Sequence, residues 1–87
     1  MATTARDVTA AMRVLHPAPV RLSVRASETP GWFRLRVPSA CAVGLGGGGW
    51  LEGYLSRALG ASVSLNGHRS IARRDCGRDV EYIVRIA

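Results

Sequence analysis

Between Val20 and Val37 apolar and polar residues alternate across a central break, and no other feature restricts the fold of this chain as much. Val20, Leu22, Val24 and Ala26 fall on one face of a first extended segment, and Phe33, Leu35 and Val37 on one face of a second. A period of two is what a half-buried strand requires. Glu28-Thr29-Pro30-Gly31 between the segments has the residues of a turn. The segment from Pro19 to Ser39 is therefore expected to be a β-hairpin with one buried face.

The rest of the chain supplies partners for that face. Ala5, Val8, Met12 and Leu15 recur at helical spacing, Thr4 and Asp7 have the separation of a capping box, and Pro17 ends the segment. Gly44 and the run Gly46 to Gly49 lead as a loop into a second helix, expected from Trp50 to Leu59. Its apolar stripe is Trp50, Leu51, Tyr54, Leu55, Ala58 and Leu59, and Gly60 supplies the stop. Gly53 inside that helix costs about 1 kcal/mol against alanine and is expected to mark close approach of another backbone.

Val63 to Ala72 fits either one long strand or a hairpin turning at Asn66-Gly67, and periodicity does not decide between them. Val80, Tyr82, Val84 and Ile86 alternate with Glu81 and Arg85 as a last strand. The expectation is one α+β domain over residues 1–87, with an N-terminal helix in residues 1–16 and a core in 19–87. Its antiparallel sheet packs on one main helix, and the N-terminal helix covers a second face or an interface.

A chain of 87 residues holds one core and has a thin margin of stability unless a partner, such as a second copy, covers more surface. All 12 basic residues are arginine, giving a formal charge of +6. Guanidinium groups make planar, bidentate contacts to phosphate and carboxylate that lysine does not, although arginine-rich codon usage accounts for the bias equally well. Cys41 and Cys76 make no CxxC pair, so a reduced cytoplasm is expected. No stretch approaches the roughly 18 apolar residues of a membrane span, and the start of the chain lacks a secretory pattern.

Conventional active-site groupings are sparse. Gly44, Gly46 and Gly49 satisfy GxGxxG before a helix, but no acidic residue ends the next strand, and a Walker loop needs a lysine. A packing or flexible loop is the expectation. His16, His68, Cys41 and Cys76 are not spaced as metal ligands, and both histidines are expected to face solvent. The six carboxylates, Asp7, Glu28, Glu52, Asp75, Asp79 and Glu81, suit capping, turns or pairing with arginine. Neither an enzyme nor a metal or cofactor is expected.

The hairpin's other face carries Arg21, Ser23 and Arg25 on one strand and Trp32, Arg34 and Arg36 on the next. Four guanidiniums beside a tryptophan suit phosphates and a stacked base, or an acidic protein surface. The same pattern also describes a solvated face whose tryptophan lies under the N-terminal helix.

From Val20 to Ile86 the chain resembles the 4-vinyl reductase-type domain, a small ligand-binding module found beside bacterial regulators and chemosensors. The resemblance rests on Ser39 and Cys41 after the hairpin, on Gly49-Trp50-Leu51-Glu52-Gly53-Tyr54-Leu55, on Leu59-Gly60 and Val63, and on the closing segment from His68 to Ile86. Ser70 and Val80 stand where that family has paired cysteines, so no cysteine-dependent metal or redox role carries over. The resemblance implies a noncatalytic ligand-sensing or protein-adaptor module, with dimerisation common among related folds such as the TRAPP vesicle-transport subunits. Trp50, Glu52, Tyr54 and Cys41 would then contact a small apolar ligand or a protein partner. The rival expectation is binding of nucleic acid or an acidic protein through Arg21, Arg25, Trp32, Arg34 and Arg36.

Overall fold

The computed structural model of the protein describes residues 3–43 and 48–87. Thr4 opens helix α1 (Ala5–Leu15) with a complete capping box: its hydroxyl accepts from the Asp7 N–H, and its own N–H donates to the Asp7 carboxylate. Two of the helix's otherwise unpartnered N–H groups are thereby satisfied. Strands β1 (Ser23–Ala26) and β2 (Trp32–Pro38) form the expected hairpin. Its first strand is shorter than the alternation suggests, because the Val20 N–H donates to the Pro17 carbonyl and so belongs to a turn.

A five-residue helix α2 (Ser39–Val43) follows β2 directly and has no counterpart in the sequence reading. Helix α3 (Gly48–Leu59) extends slightly beyond its expected start. Gly44 and Gly46, two of the three glycines of the GxGxxG pattern, lie outside the described residues. Strands β3 (Val63–Ala72) and β4 (Arg78–Ile86) complete an antiparallel sheet in the order β1-β2-β4-β3. Asn66-Gly67 is a bulge within one long strand, since the register shifts between Leu65 and His68 while the pairing with β4 continues. One extra residue keeps Leu65 and His68 on the same face, opposite Val84 and Tyr82.

The chain is thus an α+β protein with its helices on one side of the sheet. Val8 and Met12 of α1 and Leu51 and Leu55 of α3 are buried with Phe33, Leu35, Val37, Val63, Tyr82, Val84 and Ile86. Cys41 and Ala42 of α2 pack against the same cluster. Of the two placements the sequence left open for α1, a second face or an interface, the first does not hold, since α1 shares the inner face with α3. Two further expectations change. Among the described residues a Cβ at Gly53 would meet only the Arg57 guanidinium, at 3.6 Å, and no backbone approaches there. His16 is half-buried rather than solvent-facing, and its Nε2 has no partner among the described residues.

Candidate functional site

Alternation along each strand and the pairing between strands define the sheet's outer face. One cross-strand row carries Ser23, Arg36, Glu81 and Arg69, the next Arg25, Arg34 and Ile83, and a third Trp32, Arg85 and Ser64. The residues picked out on the hairpin's polar face, Arg25, Trp32, Arg34 and Arg36, thus share one surface, with Arg21 just before β1. Because the described helices all join the inner core, this face stays open, and Trp32 does not lie beneath α1.

Two carboxylates from β4 organise the arginines. Glu81 is 5 % exposed. Arg69 holds it through two nitrogens at 3.0 Å, with Arg36 at 3.6 Å and Arg34 at 3.8 Å. Asp79 is 1 % exposed and lies between Arg21, at 2.9 Å, and Arg73. Burying a carboxylate is tolerable only when it is paired and hydrogen-bonded, and here guanidiniums from four other parts of the chain supply the partners. Each guanidinium has five N–H donors, so most of them remain directed away from the buried acids.

Arg73 reaches Asp79 from the β3–β4 turn. It also donates to Asp75 at 3.0 Å and to the Arg78 carbonyl at 3.2 Å. The hydrogen bond to Asp79, followed by that to Asp75, pushes the Arg73 pKa above its already high ordinary value. Gly77 leaves room for this arrangement, because a Cβ there would collide with the Arg73 guanidinium. Two adjoining concavities result. One, of about 450 Å³, is lined by Arg25, Arg34, Arg36 and Arg69 over Glu81, with Glu28 of the hairpin turn at its wall. The other, of about 430 Å³, is lined by Arg21, Arg36, Arg73 and Arg74 over Asp79 and Asp75.

The residues expected to hold an apolar ligand are spread over α2 and α3. Tyr54 donates its hydroxyl to the Ala11 carbonyl at 2.7 Å and so ties α3 to α1. Trp50 is 45 % exposed and stacks on Tyr54, with ring centroids 5.6 Å apart. Glu52 is half-buried and makes no ion pair among the described residues, and Cys41 packs on the core from α2. A shallow groove between α1 and α3, lined by Ala10, Ala11, Val14, Tyr54, Ala58 and Leu59, includes only Tyr54 of these four.

Sequence reasoning missed Arg69, Arg73, Asp79 and Glu81 as members of the basic face. Glu81 did carry a signal, as an acid on the polar side of a strand in an arginine-rich chain. Its neighbours, however, depend on a sheet order that the sequence does not state. Among the described residues no three His, Cys, Asp or Glu side chains come together, and no helix is long and apolar enough to cross a membrane. Comparison with family models, curated proteins and solved structures finds no match for the chain.

Proposed function

We propose that this protein is a noncatalytic module that binds nucleic acid through the phosphate backbone, using the open outer face of its sheet. The supporting observation is the imbalance on that face. Arg21, Arg25, Arg34, Arg36, Arg69 and Arg73 gather around only two buried carboxylates, Asp79 and Glu81. The acids hold five of these guanidiniums in place without neutralising the surface. Arginines fixed before a polyanion arrives lose less side-chain entropy on binding, and a basic face on a chain whose formal net charge is +6 is the electrostatic footprint of a phosphate binder. The two free cysteines fit a reducing, cytoplasmic setting.

The test is a titration of labelled DNA and RNA against the wild type and Arg34→Ala/Arg36→Ala, neither of which alters the hydrophobic core. Saturable binding that the double substitution weakens at least tenfold supports the reading. Equal binding by both proteins, or none at low salt, would remove it.

A second reading, nearer to the 4-vinyl reductase-type resemblance, is supported by the groove of about 430 Å³ between α1 and α3. Val14 is 75 % exposed at its edge. A small apolar ligand or a protein partner docking there would lie on the opposite side of the molecule from the arginines. Its binding would respond little to salt.

A further inference from the structure

We infer that the arginine face is built for a single strand rather than a duplex, with phosphates over the two carboxylate-floored concavities and a base stacked on Trp32. This rests on the nucleic-acid reading above and narrows it.

The shape of the platform disfavours a duplex. Three inter-strand spacings of about 4.8 Å put the outer strands of the sheet about 14 Å apart, which is wider than the B-DNA major groove of about 12 Å. A four-stranded sheet face therefore cannot enter that groove as a helix or two-stranded ribbon does. It could touch a duplex only along one backbone. A single strand has no such restriction, because it can lie across the sheet with its bases turned toward it.

The order of side chains along β2 supplies the second step. Trp32, Arg34 and Arg36 occupy alternate positions on the outer face, so consecutive members are about 6.6 Å apart at the strand's rise per residue. That repeat is comparable to the separation of neighbouring phosphates in an extended strand. Arg34 and Arg36 both line the Glu81 concavity, and Arg36 also lines the Asp79 one. The two cups are therefore adjacent and share a guanidinium, as consecutive phosphates on one chain would require.

Trp32 supplies the third step. It is half-buried, lies at the end of this row and faces Arg85 across the β2–β4 pairing, with Ile83 beside them opposite Arg34. An indole, an isoleucine and a guanidinium next to phosphate cups form an apolar and π-rich patch that suits a base. Stacking of this kind is tolerant of sequence, because every base has a π-face. A duplex keeps its bases inside and gains nothing from Trp32.

The experiment uses the full chain carrying Trp50→Phe, so that Trp32 is the only tryptophan, with folding checked by circular dichroism. End-labelled oligothymidylate and a labelled duplex of the same length are titrated while label anisotropy, which reads affinity for every variant, and tryptophan fluorescence are followed. The expected result is quenching of Trp32 by oligothymidylate, at least tenfold weaker binding of the duplex, and about tenfold loss of single-strand affinity in Trp32→Leu that Trp32→Tyr restores. Duplex binding as tight as single-strand binding, or single-strand binding without quenching, would overturn the inference and leave the phosphate-binding reading standing. Failure of both nucleic acids to bind at low salt would overturn both.

Discussion

Glu81 of β4 and Arg69 of β3 are direct cross-strand neighbours, and the guanidinium meets the carboxylate through two nitrogens at 3.0 Å. Arg36 pairs with Glu81 from the other side of β4. One buried acid therefore joins three of the four strands of the open face. Glu81→Gln keeps the shape and removes the charge, so Arg34, Arg36 and Arg69 are left to repel one another. The expected cost is about 1.5–3 kcal/mol, the range for hydrogen bonds to charged groups, toward its lower end because the guanidiniums are solvent-screened. Thermal melts should show the loss shrinking with added salt, as screening relieves the repulsion. An unchanged melting temperature at low salt would contradict the role given to Glu81.

Gly53→Ala should stabilise the protein. The position lies inside α3, and among the described residues an added methyl would have ordinary contact with Arg57 alone. Alanine in a helix interior is favoured over glycine by about 1 kcal/mol, which in a domain of this size raises the melting temperature by about 4–8 °C. A lower melting temperature would mean that another backbone does approach Gly53.

Gly31→Ala should do the opposite. Gly31 has a φ of +87°, and a Cβ there would lie 2.9 Å from the Ile86 carbonyl oxygen. Its own carbonyl accepts from the Ile86 N–H at 2.7 Å, which binds the hairpin turn to the end of β4. Strain at such a position costs about 1–3 kcal/mol, measurable as a lowered denaturation midpoint. A midpoint equal to wild type would show that the turn is free to move away.

Acid should destabilise the fold partly through two exposed carboxylates. The Thr4 N–H and hydroxyl hold Asp7 below the usual range, and the Gly77 N–H, with Arg73, does the same for Asp75. A folded-state pKa below the unfolded value gives stability that is present above about pH 3.9 and is lost as pH falls through the folded value. Tyr82 works in the other direction. Burial raises its pKa, so its contribution is complete below about pH 10 and is lost as pH rises through the folded value. Melting temperature against pH should thus fall at both extremes, with Asp7→Asn/Asp75→Asn softening the acid limb. An acid limb identical in that variant would remove these two groups from the account.

The hairpin, the capped first helix, α3 and the last strand were legible in the sequence because each is long enough to show its period. Ser39–Val43 was not legible, since five residues barely exceed one helical turn. At Asn66-Gly67 the alternation slips by one residue, which fits a bulge and a turn alike, and only the continued pairing with β4 separates them. For the site, alternation alone placed Arg25, Trp32, Arg34 and Arg36 on one face. The roles of Glu81 and Asp79 depend on β4 lying beside β2, a long-range relation that strand periodicity does not encode. The same limit hid Arg69 and Arg73, whose segment could be read as strand or turn.

The most direct test of phosphate binding by the outer face is the salt dependence of affinity for a single-stranded oligonucleotide, compared between wild type and Arg34→Ala/Arg36→Ala. Each phosphate contact adds about 0.7 to the steepness of log affinity against log salt for single strands. The account predicts a steep wild-type slope that becomes shallower by about 1.4 when these two arginines are removed. Identical slopes for the two proteins would contradict it, since the face would then not be where the phosphates lie.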